Sequence, residues 1–255
     1  MKNFLMVGTA CVLLTSLLLS CATQNVEEQK SQAEAIRILG EAYLRQGKYR
    51  AALKQLKKAE DLYPSDHLLQ EDLGLAYYNL GKQDQAIFHF KKALAIKDDY
   101  TPARNNLGNA YAQKKEWDKA IEQYKIVTED LIYGTPQNPL SNLGFVYYEL
   151  QEYGLSAQYF LRALDIKPDF VRALYGLAKT YIALNRAPEA IELLEKAIGI
   201  SPDSAVLQFE LAKAYALTQE YGKAISAYHQ VVQLNPTSTL ADKALIEIQK
   251  LKNMQ

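Results

Sequence analysis

Small and aromatic residues recur at fixed positions along most of this chain. The pairs Leu39-Gly40, Leu73-Gly74, Leu107-Gly108, Leu143-Gly144, Leu177-Ala178 and Leu211-Ala212 are spaced 34, 34, 36, 34 and 34 residues apart. Three residues beyond each small position stands a tyrosine: Tyr43, Tyr77, Tyr111, Tyr147, Tyr181 and Tyr215. Twelve beyond stand Ala52, Ala86, Ala120, Ser156, Ala190 and Ala224, and sixteen beyond stand Leu56, Phe90, Tyr124, Phe160, Leu194 and Tyr228. Twenty-four beyond come Pro64, Asp98, Ile132, Pro168, Pro202 and Pro236. Such a period marks a stacked array of helix pairs. A small residue lets two helices approach, an aromatic residue fills the gap between neighbours, and proline ends the second helix. One repeat cannot bury its own apolar face, so neighbours must stack. After the sixth copy, Leu240, Ala244, Leu245, Ile248 and Leu251 interleave with Asp242, Lys243, Glu247 and Lys250. That stripe predicts an amphipathic capping helix in residues 239–255. The 36-residue spacing marks one irregular junction, residues 128–139, which holds Tyr133-Gly134-Thr135-Pro136.

Composition narrows the chemistry. Lys+Arg 29 balances Asp+Glu 29, so the basic excess of a nucleic-acid binder is missing. Gly 12 and Pro 8 are few, as a helical chain requires. His67, His89 and His229 lie in different repeats with no second ligand at metal spacing, and each is expected on the surface or half-buried. No HExxH, glycine-rich phosphate loop or GxSxG occurs. The expectation is a non-enzyme with no cofactor, no metal site and no small-molecule substrate.

The N-terminus has a different pattern. Lys2 precedes a mostly apolar run over 4–19, too short for the roughly 20 residues of a bilayer span. The run ends Leu18-Leu19-Ser20-Cys21, which resembles the bacterial lipobox. The resemblance implies cleavage after Ser20 and acyl chains such as palmitate on Cys21, an anchor without a spanning helix. The alternative is an ordinary signal peptide with a chance cysteine. Ala22, rather than Asp, implies the outer membrane of a Gram-negative cell by likeness to the enteric sorting rule. Residues 1–20 are thus read as a lipoprotein signal peptide and 21–32 as a flexible tether.

The repeat register resembles the tetratricopeptide repeat. That resemblance implies an all-α, right-handed superhelical solenoid of six repeats (33–66, 67–100, 101–136, 137–170, 171–204 and 205–238) plus the capping helix. In such arrays the first helices line the concave side, where partners usually bind. Positions expected there include Tyr78, Asn105, Asn109, Asn142, Phe145, Tyr148, Arg172, Tyr175 and Lys179. Amides flanked by aromatics suit the backbone of an extended peptide; solvated helix positions are the plainer alternative. Against the carboxylate clamp of chaperone-binding relatives, repeats three to five offer Asn105, Asn109, Asn142, Arg172 and Gly176, which keeps two asparagines and one cation but loses two cations. No cap precedes the first repeat, so Ile36, Ile38 and Leu44 form a second candidate surface, an open apolar edge.

Lipobox, tether, six repeats and helical cap together look like the type IV pilus biogenesis lipoproteins, the secretin pilotins of the PilF, PilW and Tgl kind. Tyr133-Gly134-Thr135-Pro136 is the most specific point, because members of that family can carry Tyr-x-Thr-Pro between repeats there. The resemblance implies a helper that binds secretin subunits and promotes their outer-membrane insertion and multimerisation. Rival readings are a general cell-envelope adaptor that docks peptidoglycan hydrolases, or a subunit of an outer-membrane assembly machine. The anchor is directly testable. Cys21→Ser removes the thiol that accepts lipid, so the protein should remain an uncleaved precursor or leave the outer-membrane fraction. Normal processing and fractionation of that variant would sink the lipoprotein reading.

Overall fold

The computed structural model describes residues 25–130 and 133–254. Cys21 and the signal segment lie outside the described residues, as does Ile132. Among the described residues there are thirteen helices and no strand. They are α1 (25–45), α2 (Tyr49–Leu62), α3 (His67–Asn79), α4 (Gln83–Ile96), α5 (Thr101–Gln113), α6 (Trp117–Glu129), α7 (Gln137–Glu149), α8 (Tyr153–Ile166), α9 (Val171–Ala183), α10 (Ala187–Ile200), α11 (Ala205–Leu217), α12 (Tyr221–Leu234) and α13 (Thr239–Lys252). The chain divides into two compact units between Glu116 and Trp117. The first holds α1 to α5 and the second α6 to α13.

Each pair of helices is joined by a three-residue turn with one left-handed residue: Gly47, Gly81, Lys115, Gln151, Asn185 or Gln219, with φ between 59 and 73°. Two backbone hydrogen bonds close every turn in the Schellman pattern. The residue after the left-handed one donates to the register tyrosine carbonyl, as in Lys48 to Tyr43 (2.9 Å) and Arg186 to Tyr181 (2.8 Å). Glycine supplies the left-handed residue only twice. The second helices end two residues before the register proline at Leu62, Ile166, Ile200 and Leu234, and α4 ends at the same place with Asp98 there. Proline therefore reinforces a stop that the backbone makes without it.

Packing follows the small-large alternation. Phe160 of α8 is fully buried. A Cβ on Gly144 of α7 would stand 2.8 Å from its ring, and one on Gly176 of α9 would stand closer still. Gly74 gives the same room to Phe90, and Gly40 to Leu56, whose Cδ2 a Cβ would meet at 2.6 Å. In the second unit a hydroxyl pair braces this joint. Ser156 donates to the Gly144 carbonyl (2.9 Å) and meets Thr180 at 2.9 Å, and Thr180 donates to the Gly176 carbonyl (2.8 Å). Both hydroxyl residues are fully buried.

The N-terminal segment differs from expectation in two ways. Residues 25–32, assigned to a flexible tether, are the exposed first turns of α1. Ile36 and Leu44, expected on an open edge, are instead half-buried against the core of Leu56, Leu69 and Leu73. Their phase on α1 turns them inward. The exposed large apolar residues of α1 are Val26, at 51%, in its first turns, and the adjacent Ile38, at 48%, and Leu39, at 46%. Leu39 occupies the register position at which Leu73, Leu107, Leu143, Leu177 and Leu211 are buried. It differs because, among the described residues, no helix pair precedes it. At the other end Ala241, Ala244, Ile248 and Leu251 of α13 cover the last pair.

The joint around Phe160 makes a prediction. Gly176→Ala drives a methyl into a ring that is buried on all sides, an overpacking cost of about 1–3 kcal/mol. Urea unfolding should show that loss, and Phe160→Leu in the same chain should restore part of it. An unchanged midpoint for Gly176→Ala would contradict the packing described.

Candidate functional site

Six of the residues expected to face a groove meet on the first helices of the second unit. Asn142, Phe145 and Tyr148 stand on α7, and Arg172, Tyr175 and Lys179 on α9. Arg172 Nη2 donates to Asn142 Oδ1 at 2.7 Å, and its guanidinium lies 5.1 Å from the Phe145 ring centre. Lys179 Nζ sits over two rings, 4.5 Å from Tyr148 and 5.6 Å from Tyr175. Phe145 meets Phe160 edge-on at 4.9 Å and Tyr175 at 6.3 Å, which seats the aromatic floor on the core. On α11, the largely buried Glu210 accepts from Lys213 at 2.7 Å. Burial raises the Tyr175 phenol to about 12, with Glu210 adding to the shift. Burial raises Tyr148 as well. Both phenols are therefore neutral hydroxyls at ordinary pH.

The corresponding face of the first unit is carboxylate-rich and internally paired. Arg37 of α1 reaches Asp72 at 3.1 Å, Glu41 at 3.4 Å and Asp66 at 3.7 Å. Arg45 reaches Glu41 at 3.1 Å. Glu71 accepts from the Tyr100 hydroxyl and from Asn106 Nδ2, the latter at 3.0 Å. Tyr78 on α3 and Asn105 and Asn109 on α5 are half-buried in this unit. A shallow cleft beside them is lined by Leu44, Arg45, Tyr49, Asp72, Leu75 and Asn79.

Comparison with known proteins turns on the repeat. Two family models, both described as tetratricopeptide repeat, match residues 39–101 and 142–205 and residues 77–130 and 185–248. The chain belongs to the tetratricopeptide-repeat family. The fold of this repeat protein is similar to PilW, a widely conserved type IV pilus biogenesis factor, with a TM-score of 0.77 at 22% identity over 84% of this chain and 98% of that one. It is similar to PilF of Pseudomonas aeruginosa, with a TM-score of 0.74 at 19% identity over 86% and 99%. It also matches Cut9 with Hcn1 of the APC/C, with a TM-score of 0.75 at 19% identity, over 92% of this chain and 45% of that one. At these identities the likeness shows the fold. A search of curated sequences finds no match. The tetratricopeptide fold is typical of protein-interaction modules, and this chain is a protein-binding scaffold of that class.

This repeat protein also holds a polar core that its sequence pattern did not reveal. His89, expected on the surface or half-buried, is buried on α4 because its α-helical phase faces α3. Its Nδ1 meets Gln70 Oε1 at 2.8 Å, and Gln70 Nε2 donates to Glu60 at 3.2 Å and to the Pro64 carbonyl at 3.0 Å. Lys57 and Lys92 also donate to Glu60, at 2.9 and 3.0 Å. No residue periodicity marks this network; the available signal is a histidine where a helix turns inward.

These groups titrate in opposite senses. Burial lowers His89 to about 4 from 6.5 and outweighs the attraction of Glu60. Burial raises Asp72 to about 7 from 3.8, against its Arg37 hydrogen bond. Burial also raises Glu71. The His89 contribution to stability is present above about 6.5 and lost as pH falls toward about 4. The Asp72 contribution is present below 3.8 and lost as pH rises through about 7. The slopes oppose each other in the shared window. Asp72→Asn should therefore melt at a lower temperature at pH about 5 than at about 7, and His89→Gln the reverse. Thermal melts of both variants check this, and parallel pH profiles would refute the assignment.

Proposed function

We propose that this chain is an outer-membrane lipoprotein of a type IV pilus machine. In this reading it is a non-enzymatic scaffold that binds secretin subunits and assists their localisation and multimerisation. The observation that carries the reading is a likeness that runs almost end to end through PilW and PilF, at 98% and 99% of those chains. The Leu18-Leu19-Ser20-Cys21 motif supports a lipid anchor. Among the described residues no helix is long and apolar enough to cross a membrane. Tyr133-Gly134-Thr135-Pro136 supports the pilus assignment independently. Thr135 and Pro136 lead into α7, with Asn138 N–H donating to the Thr135 carbonyl at 3.0 Å. The binding surfaces that fit are the Phe145–Tyr148–Tyr175 face and the exposed Ile38–Leu39 edge.

Deletion of the gene should deplete secretin multimers from the outer membrane. Phe145→Ala with Tyr148→Ala should reproduce that loss if the aromatic face is the docking surface, and Ile38→Asp with Leu39→Asp if the edge is. Circular dichroism and membrane fractionation check that each variant is folded and anchored. Multimers unchanged by the deletion would overturn the pilus reading and favour a general envelope adaptor, docking peptidoglycan hydrolases or an outer-membrane assembly machine.

A further inference from the structure

We propose that the face built by α7 and α9 binds an acidic segment of a partner protein. Arg172 and Lys179 would take its carboxylates, and Phe145, Tyr148 and Tyr175 its apolar side chains. The proposal rests on the scaffold reading and deepens it, because it names the chemistry of what the scaffold holds.

Two features carry it. The first is a pair of cations without carboxylates. Some cations elsewhere in the second unit pair within a turn of helix, as Arg186 does with Glu189 at 2.9 Å and Lys223 with Glu220 at 2.6 Å; Arg172 and Lys179 differ in standing together on an aromatic face. Among the described residues, neither Arg172 nor Lys179 has a carboxylate within ion-pair distance. Arg172 directs one nitrogen to the neutral Asn142 amide and rests on Phe145. Lys179 rests on two phenol rings. Ring faces hold a cation in place without cancelling its charge. The rest of its N–H donors stay available to an anion. The nearby carboxylate of Glu210 is occupied by Lys213.

The second feature is spacing. Arg172 and Lys179 are seven residues apart on one straight helix, so they lie two turns apart on one face, about 10.5 Å along the axis. Two carboxylates three residues apart on a segment in the polyproline II conformation share one face and are separated by about 9 Å. Tyr175 lies between the cations, one turn from each. An intervening apolar residue would meet it there. The first unit contrasts: its cations on α1, Arg37 and Arg45, are paired with Asp72 and Glu41, and the register position of Lys179 is held there by Glu41.

The test uses the full chain in detergent and a fluorescein-labelled, end-capped peptide. The peptide has two Glu residues three positions apart around a Leu-Phe pair; the comparison peptide has Gln at both positions. Anisotropy should show the Glu peptide bound tighter by about tenfold, since charge-assisted hydrogen bonds are roughly twice as strong as neutral ones. The preference should shrink as salt is raised. Arg172→Gln with Lys179→Gln should abolish it. Lys196→Gln with Lys243→Gln, which removes the same charge from exposed positions elsewhere, should keep it. Equal binding of the two peptides, no binding of either, or a preference that survives the Arg172/Lys179 change in folded protein overturns the proposal. Because the readout is peptide selectivity on purified protein, its failure is distinct from unchanged secretin multimers in cells, which would strike the pilus reading alone.

Discussion

The structure depends on helices coming close enough for one large side chain to fill the space left by a missing Cβ. At Phe160 the missing methyls belong to two helices, one from its own pair and one from the next, so a single ring ties Gly144 and Gly176 together. Gly74 with Phe90 repeats half of the joint in the first unit, within one helix pair. Close packing of this kind tolerates neither an added methylene nor a void. Because each pair contacts its neighbours, the joint sets the placement of α7 against α9. That placement in turn brings Asn142 beside Arg172 and Tyr148 under Lys179. The candidate binding face is thus an outer consequence of an inner packing rule.

Most of the fold was legible because the rule is periodic. The small position, the tyrosine and the large residue sixteen later recur in every copy, and α3, α5, α7, α9 and α11 begin at His67, Thr101, Gln137, Val171 and Ala205. What could not be read is what breaks the period. Leu39 matches its register partners as a residue type, yet it is exposed because burial there is supplied by a preceding pair, and among the described residues none precedes the first repeat. Ile36 and Leu44 look like edge residues in the sequence, but helical phase turns them to the core. Ser156 reads as a tolerated substitute for alanine, whereas its hydroxyl bridges a carbonyl on α7 and a threonine on α9. Such a bridge joins residues 24 apart, and no local pattern encodes it.

The site was legible to a different degree. Helix position alone grouped Asn142, Phe145, Tyr148, Arg172, Tyr175 and Lys179 on first helices. Which cations lack a carboxylate partner depends on where the acidic side chains fall in space, and that is a property of the folded chain. The first helices carry a self-neutralised network in the first unit and ring-supported cations in the second. Similar backbones thus present unlike surfaces, which is how a repeat scaffold of near-zero net charge can still recognise charge.

The six left-handed turn residues carry a consequence for engineering. Only Gly47 and Gly81 adopt that conformation without steric conflict. At Lys115, Gln151, Asn185 and Gln219 a side chain is held where an L-residue is disfavoured by about 1–2 kcal/mol, with Asn the best tolerated. Glycine there would relieve the conflict at the cost of a freer unfolded chain. These four turns are therefore places where the protein's thermal tolerance could be raised while its core is left untouched.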